Sequence, residues 1–279
     1  MKALLVLALA ACRPGGSSTM HVGSVTRHYE EFVPTDTPGM PLVIALHGRG
    51  STGRQMERFT HLDDIAAREQ FVVVYPDGID HRWNDGRDNT GVDDVAFIAQ
   101  LIDEMAARHA IDRTRVYVTG MSNGGMMSYR LACDLSDRIA AIAPVAGDLP
   151  TAPCTPSHPV SVLAINGTSD PLVPYEGGMV GHRGTVLSSP ASAQFFATRD
   201  GCRAADMADE PDVDRDDGVR SHDRRYRCPP RLAVELVTLD GGGHTWPGGP
   251  QYLPKVLIGP TSRDFDASER IWAFFADRE

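Results

Sequence analysis

A serine at the centre of a G-x-S-x-G pentapeptide is the first candidate for chemistry in this chain. The apolar run Val116-Tyr117-Val118 before it predicts a buried strand, and the surrounding glycines allow a tight turn into a helix. Such a turn leaves the hydroxyl of Ser122 exposed. A serine hydroxyl attacks a carbonyl when a general base takes its proton and N–H groups stabilise the oxyanion. The pentapeptide therefore predicts acyl transfer, with the backbone amide of Asn123 as one oxyanion donor.

A serine nucleophile also needs a histidine base and a carboxylate that orients the base. In α/β-hydrolases these residues follow in the chain order Ser, Asp, His, on loops at the carboxyl ends of strands. His244 lies in a glycine-rich loop after the last predicted strand, and this loop is expected to be open and mobile enough to reach Ser122. Asp170 directly follows an earlier buried strand and is the expected orienting carboxylate. Asp240 and Asp148 also follow strands and are the alternatives.

The glycine-rich loop at residues 47–53 follows another apolar run. The loop at this place in an α/β-hydrolase gives the second oxyanion N–H, which assigns that role to the backbone amide of Arg49. Alternatively, the Arg49 guanidinium binds an acidic group of the substrate. His47 precedes the serine in the chain, so we expect it to brace the loop by hydrogen bonding and not to act as the base.

The elements that must position these residues alternate between strand and helix. Continuous apolar runs indicate strands that are buried on both faces of a parallel sheet, and apolar residues at helical spacing indicate the helices between them. Strands are predicted over 25–33, 42–46, 71–75, 116–118, 140–145, 160–165 and 234–239, and helices over 54–69, 92–109, 189–198 and 270–276. The pattern predicts an α/β fold with a doubly wound, mostly parallel sheet flanked by helices, in one catalytic domain over residues 25–279.

Size and charge restrict the partners. A chain of 279 residues can form one large domain, and its net charge of -10 without any Lys/Arg-rich run argues against nucleic acid or an anionic membrane surface as a partner. The predicted chemistry needs no metal and no organic cofactor. The sequence assigns no oligomeric state.

The N-terminus predicts export. Met1-Lys2 and the apolar run that follows have the form of a signal peptide and are too short to span a bilayer. Leu9-Ala10-Ala11-Cys12 resembles the bacterial lipoprotein box, so we expect a signal peptide over 1–11, a lipid on Cys12, a flexible tether over 12–24 and a cell-envelope location. Plain secretion with a coincidental Cys12, or a misassigned start, are the alternatives.

Four further cysteines form an even set in an exported chain, which predicts two disulfides. Three connectivities are possible. We expect the sequence-adjacent pairing, Cys133 with Cys154 and Cys202 with Cys228, where each bridge contributes ~3 kcal/mol in the loop-entropy description.

Seven segments together carry a family resemblance. They are His47-Gly48-x-Gly50, Trp83–Gly86, Asp93–Ile98, Gly120–Gly125, Ala143–Gly147, Asn166–Asp170 and Gly242–Gly248. From about residue 27 to the C-terminus the chain resembles the polyhydroxybutyrate depolymerase and feruloyl/acetylxylan esterase family of α/β-hydrolases. The resemblance implies the triad Ser122, Asp170 and His244, in agreement with the order argument above.

The same resemblance makes Trp83 and Trp246 candidates for a wall of the substrate site, although ordinary core positions would also explain them. Relatives often carry a smaller residue where this chain has Arg49. The acyl pocket of this chain is therefore expected to differ from theirs.

These observations predict an exported serine esterase that hydrolyses carboxylic esters through an acyl-enzyme. The resemblance implies hydroxyalkanoate oligomers as substrates or, alternatively, feruloyl or acetyl esters of plant polysaccharide. The chain leaves no length for an added polymer-binding domain, so soluble oligomers or small esters are favoured. Two other classes are a peptidase, which often has a large gating domain, and a catalytically silent lipid-anchored binding protein, which needs no triad.

Overall fold

A computed structural model of the protein describes residues 13–35, 37–88 and 91–278. The predicted signal peptide and its lipidation site, Cys12, lie outside the described residues. The strands are β1 (Arg13–Val22), β2 (Val25–Val33), β3 (Leu42–Leu46), β4 (Val72–Pro76), β5 (Val116–Met121), β6 (Ala141–Val145), β7 (Ser161–Gly167), β8 (Gly178–Met179), β9 (Thr185–Val186), β10 (Arg203–Asp209), β11 (Arg220–Arg227) and β12 (Val234–Asp240). The helices are α1 (Gly53–Thr60), α2 (Leu62–Glu69), α3 (Asp94–His109), α4 (Asn123–Asp134), α5 (Ser189–Arg199), α6 (Lys255–Ile258) and α7 (Ala267–Ala276).

Ten of the strands in the described ranges form one sheet, in the order β1-β2-β4-β3-β5-β6-β7-β12-β11-β10. The six strands from β4 to β12 in this order are parallel, and two antiparallel strands are added at each edge. Parallel strands are buried on both faces, which explains their continuous apolar runs. The predicted fold class, a mostly parallel sheet flanked by helices, is confirmed.

The sheet separates two hydrophobic cores. Side chains alternate along a strand, so that Leu42, Ile44 and Leu46 of β3 face the core that α3, α4 and α5 cover, whereas Val43 and Ala45 face α1, α2 and α7. Aromatic side chains fill the second core, where the rings of Tyr117 and Phe275 stack at 4.7 Å and those of Phe71 and Trp272 at 4.0 Å. Helices on both faces make the sheet doubly wound, as predicted.

The N-terminal segment differs from its prediction. Residues 13–22 form β1, which pairs antiparallel with β2, whereas a flexible tether was expected over 12–24. The two strands are joined by the two-residue turn Gly23-Ser24, where Gly23 has a left-handed φ of 59°. The glycines and serines of this segment suggest flexibility, but backbone hydrogen bonds to β2 hold it in the sheet. Ordered structure therefore begins before the predicted domain boundary at residue 25.

The helix predicted over 54–69 is two helices, α1 and α2. His61 between them has a left-handed φ of 52°, and its N–H donates to the carbonyl of Glu57, which ends α1. Apolar spacing continues through this break, so it does not reveal the change in backbone direction.

Both predicted disulfides are confirmed. Cys133 is bonded to Cys154, which ties the end of α4 to the loop before β7. Cys202 is bonded to Cys228, which ties the beginning of β10 to the end of β11. Of the helices in the described residues, none has the length and apolar character needed to cross a membrane.

Candidate active site

Ser122 stands at the sharp turn between β5 and α4. Its backbone has φ 58° and ψ -118°, a region that a residue with a side chain rarely adopts. Two hydrogen bonds of 2.9 Å hold the turn, one from the Ser122 N–H to the carbonyl of Val145 and one from the Met126 N–H to the carbonyl of Ser122. The predicted strand, turn and helix are therefore present.

Three glycines allow the backbones around Ser122 to approach closely. A Cβ at Gly124 would lie 2.2 Å from the carbonyl oxygen of Leu46, and one at Gly147 would lie 2.7 Å from the carbonyl oxygen of Ser122. A Cβ at Gly120 would lie 2.6 Å from the backbone of Gly124. These distances are too short for any side chain, so the small residues of the motif fix how near α4 comes to β3 and β5.

His244 and Asp170 form a buried pair. The Nδ1 atom of His244 lies 2.6 Å from Oδ2 of Asp170, and the imidazole is 3% exposed. The other carboxylate oxygen of Asp170 accepts the N–H groups of Leu172 and Val173 at 2.7 and 2.8 Å. Because Nδ1 faces a carboxylate oxygen, the proton of the neutral ring belongs on Nδ1, which leaves the lone pair of Nε2 free to accept a proton.

The loop that carries His244 is packed closely, which corrects the expectation of an open, mobile loop. The backbone N–H of His244 donates to the carbonyl of Ile258 at 2.6 Å, and the hydroxyl of Tyr252 donates to the carbonyl of His244 at 2.9 Å. Burial and then the charge of Asp170 raise the pKa of Tyr252 to about 12, so this hydroxyl keeps its proton at neutral pH.

Ser122, Asp170 and His244 follow β5, β7 and β12, and all three therefore lie at the carboxyl edge of the sheet. Within the described part of the chain, no hydrogen bond joins the Ser122 hydroxyl to the His244 imidazole. The structure thus pairs His244 with Asp170 and places the serine at the same edge without that last contact.

The two alternative carboxylates, Asp148 and Asp240, form hydrogen bonds with residues other than His244. Asp148 accepts hydrogen bonds from the Asn166 amide at 3.2 Å and the Ser189 hydroxyl at 2.9 Å. Burial raises the pKa of Asp148 to about 8, so it is mostly uncharged at neutral pH and poorly suited to stabilise an imidazolium. Asp240 is exposed and accepts a hydrogen bond from the Thr168 hydroxyl at 3.0 Å.

The loop with Arg49 lies beside the serine, since a Cβ at Gly48 would be 3.6 Å from the Cβ of Ser122. Among the hydrogen bonds of the described residues, none uses the backbone N–H of Arg49 or of Asn123. Asn123 is also the first residue of α4, where the helix dipole favours negative charge. Both amides expected to form an oxyanion hole are thus unpaired beside Ser122.

His47 braces this loop as expected. Its Nε2 accepts the N–H of Gly78 at 3.0 Å, so Nδ1 carries the proton and donates to the carbonyl of Gly48 at 2.7 Å. Burial lowers the pKa of His47, which keeps the ring neutral.

The two candidate tryptophans have different surroundings. Trp83 is 2% exposed, lies against the cavity beside Ser122 and donates from its ring N–H to the carbonyl of His47 at 2.9 Å. Trp246 is 1% exposed and donates to the hydroxyl of Ser268 at 3.0 Å, on the face of the sheet covered by α7. Trp246 is not among the described residues that line the cavity, and its contact with substrate stays a prediction.

The side chain of Asn123 has a role that the sequence did not reveal. It accepts the backbone N–H of Trp83 at 2.7 Å and donates to the carbonyl of Trp83 at 3.1 Å and to Asp85 Oδ2 at 2.7 Å. These bonds join the start of α4 to the loop at residues 82–88. They also explain why asparagine, and not another small residue, follows the serine.

A cavity of about 330 Å³ opens beside Ser122. Met126, Val180 and Trp83 supply apolar wall, but most of the other lining side chains are charged: Arg49, Arg82, Arg87, Arg183, Asp85 and Asp88. Sequence reasoning considered only Arg49. The alternation of arginine and aspartate over residues 82–88 was the available signal for four of the others, whereas Arg183 comes from a distant loop between β8 and β9.

Comparison with known proteins identifies esterases that are similar to this chain. The profile of the family described as esterase PHB depolymerase matches residues 29–174. NocK of Nocardia uniformis subsp. tsuyamanensis, an inferred esterase, is 29% identical over 260 residues, which cover 87% of this chain and 76% of that protein. Feruloyl esterase B of Piromyces equi is 30% identical over 223 residues, which cover 75% of this chain and 40% of that protein.

A solved structure of acetyl xylan esterase from Aspergillus awamori superposes with a TM-score of 0.64 and covers 94% of this chain and 99% of that chain, at 14% sequence identity. At this identity the similarity concerns the fold alone. It confirms the α/β-hydrolase architecture.

Proposed function

Because this chain belongs to the esterase PHB depolymerase family, we propose that it is a serine esterase that hydrolyses carboxylic esters through an acyl-enzyme. The observation that carries the proposal is the buried hydrogen bond of 2.6 Å between His244 and Asp170, at the same sheet edge as the strained turn of Ser122. Export and lipid attachment at Cys12 are part of the proposal, and the two disulfides support the oxidising environment that export implies.

In the first step, Oγ of Ser122 bonds to the carbonyl carbon of the ester while Nε2 of His244 takes the hydroxyl proton. Asp170 keeps the imidazole in the required tautomer and stabilises the imidazolium. The N–H groups of Asn123 and Arg49 donate to the oxyanion. The bond to the alcohol oxygen then breaks, and the alcohol leaves with the proton from His244.

Water completes the cycle by attacking the acyl group on Ser122, with His244 again as the base. The products of one ester and one water are one acid and one alcohol, and no metal or organic cofactor takes part. The Ser122–His244 hydrogen bond that this mechanism requires is expected in the substrate complex, since catalytic hydrogen bonds often tighten only there.

The substrates we propose are hydroxyalkanoate oligomers, in keeping with the family, or alternatively feruloyl or acetyl esters, in keeping with the names of the relatives. A peptidase has less support because the family to which the chain belongs is described as an esterase family. A catalytically silent binding protein would need neither the buried histidine–carboxylate pair nor the unpaired amides beside Ser122.

Labelling with a fluorophosphonate probe tests the mechanism. The wild type should form an adduct on Ser122, Ser122→Ala should form none, and Ser24→Ala, which removes an exposed hydroxyl in the β1–β2 turn, should label like the wild type. Hydrolysis of hydroxybutyrate oligomers, methyl ferulate, acetylated xylan and p-nitrophenyl esters then tests the substrate class. Rates on every ester equal to those of Ser122→Ala would refute esterase function.

A further inference from the structure

The cavity beside Ser122 has an excess of positive charge. Two of its arginines are neutralised within the wall: Arg87 binds Asp85 with guanidinium–carboxylate distances of 2.7 to 3.1 Å, and Arg183 lies 3.2 Å from Asp88. The Asp85–Arg87 pair is almost fully buried and also binds the Asn123 amide, so it is a fixed part of the wall.

The other two cations, Arg49 and Arg82, have no such neutralisation. Across residues 13–35, 37–88 and 91–278, no carboxylate or carbonyl oxygen is hydrogen-bonded to either guanidinium. Two positive charges therefore remain at the cavity. Desolvation, followed by the charges of Arg183 and Arg82, lowers the pKa of Arg49, and the charge of Asp88 only partly opposes this. The other arginines that line the cavity thus act repulsively on Arg49.

We propose that Arg49 and Arg82 select esters that carry a carboxylate, which the two guanidinium groups bind while the ester carbonyl lies at Ser122. This inference rests on the proposed esterase function. Guanidinium groups match carboxylate geometry and form charge-assisted hydrogen bonds with it. Binding such a group would also relieve the repulsion between the two arginines, which neutral esters cannot do.

The inference distinguishes between the two substrate classes. A hydroxyalkanoate oligomer ends in a free carboxylate, one hydroxyacid unit from its last ester bond, and this carboxylate is ionised at neutral pH. Methyl ferulate and acetylated xylose units are neutral around the reacting ester. A cavity of about 330 Å³ that contains Ser122 and both arginines is of the size that small-molecule sites have. The structure therefore favours short hydroxyalkanoate oligomers that are cleaved next to their acid end.

The test compares the 3-hydroxybutyrate dimer as its free acid with the primary amide of the same dimer, which has equal shape and no charge. For the wild type we expect kcat/KM to be about tenfold or more higher for the acid, as one charge-assisted hydrogen bond implies. Arg49→Gln and Arg82→Gln should each lower the ratio of kcat/KM for the acid to kcat/KM for the amide by about tenfold. Because the Arg49 N–H is also an oxyanion donor, this ratio within each variant is the readout, and an effect on the oxyanion hole that both substrates share cancels in it. Arg203→Gln, which removes an exposed charge at the far edge of the sheet, is the matched control and should change neither rate.

Equal kcat/KM for acid and amide in the wild type would overturn the inference and leave the esterase assignment intact. So would a preference for the acid that survives in the Arg49→Gln/Arg82→Gln double variant. If neither dimer nor any p-nitrophenyl ester is cleaved faster than by Ser122→Ala, the esterase function itself fails. The two failures are thus distinguishable.

Discussion

The imidazole of His244 is held by Asp170 through a hydrogen bond of 2.6 Å, in a place where both side chains are almost inaccessible to solvent. The remaining carboxylate oxygen of Asp170 is saturated by two backbone N–H groups. If the Asp170 side chain turned away from the ring, buried hydrogen-bonding groups would lose their partners. This would cost stabilising free energy, because an unpaired buried polar group is unfavourable.

This pair predicts the effect of Asp170→Asn. An amide at this position favours the wrong tautomer of His244 and cannot stabilise the imidazolium, so kcat for a p-nitrophenyl ester should fall roughly 10³- to 10⁴-fold with little change in KM. Asp240→Asn, which removes an exposed carboxylate near the same edge, is the matched control and should keep wild-type rates. A loss smaller than about tenfold in Asp170→Asn, with a native circular dichroism spectrum, would contradict the assigned role.

The buried carboxyl of Asp148 predicts a pH dependence of stability. Burial raises its pKa from the ordinary value of 3.8 to about 8, so the folded protein keeps a proton that the unfolded chain releases. This contribution is fully present below about pH 4 and is lost as the pH rises to about 8, with a slope on the order of 1 kcal/mol per pH unit.

Asp148→Asn preserves hydrogen-bonding groups for Asn166 and Ser189 without a titrating charge. The free energy of unfolding in urea, measured from pH 4 to 8, should therefore fall less steeply with pH in this variant than in the wild type. Asp216→Asn, at an exposed position, should keep the wild-type slope. Parallel curves for Asp148→Asn and the wild type would exclude Asp148 as the source.

The close approach of α4 to β3 predicts that Gly124→Ala is destabilising. Its Cβ would lie 2.2 Å from the carbonyl oxygen of Leu46, and backbone cannot yield as a flexible side chain can. We expect a loss of about 3 kcal/mol or more in thermal or urea unfolding, together with loss of activity. Gly16→Ala on β1, where no atom lies within 4 Å of the added Cβ, should change stability by less than about 1 kcal/mol. Equal stability of the two variants would show that the elbow is less tightly packed than described.

The disulfide at the outer edge of the sheet predicts a separation of stability from activity. Replacing Cys202 and Cys228 by alanine should lower the free energy of unfolding by ~3 kcal/mol, because it releases a long loop in the unfolded chain. Since this bridge ties β10 to β11, far from Ser122 in the strand order, kcat/KM at 25 °C should stay within about twofold of the wild type. A large loss of activity in a variant that is still folded at 25 °C would contradict this separation.

Local patterns were sufficient to predict the parallel core of the sheet and the position of Ser122. Buried parallel strands read as apolar runs, and a strand that meets a glycine-rich turn has few other interpretations. Asp148, Asp170 and Asp240 all satisfy the chain order. Asp170 was preferred because it directly follows a buried strand and does not share the loop of His244, and the structure pairs it with that histidine.

The features that the sequence does not reveal depend on tertiary contacts. Trp246 sits in a glycine-rich loop, but its direction is set by a hydrogen bond to Ser268 on α7. Arg183 reaches the cavity from a hairpin that carries no strong pattern of its own, and β1 is ordered by pairing with β2. The left-handed break at His61 also leaves no trace in the apolar spacing.

The pairing of β1 with β2 determines how a membrane-attached form would be oriented. Arg13 lies opposite Val33, and the neighbouring Phe32 lies opposite Val73 at the beginning of β4, so the chain enters the sheet from the amino ends of its parallel strands. Ser122, Asp170 and His244 follow the opposite ends. If the protein is anchored at Cys12, as proposed, the cavity beside Ser122 would therefore face away from the bilayer. It would be accessible to esters dissolved in the surrounding fluid.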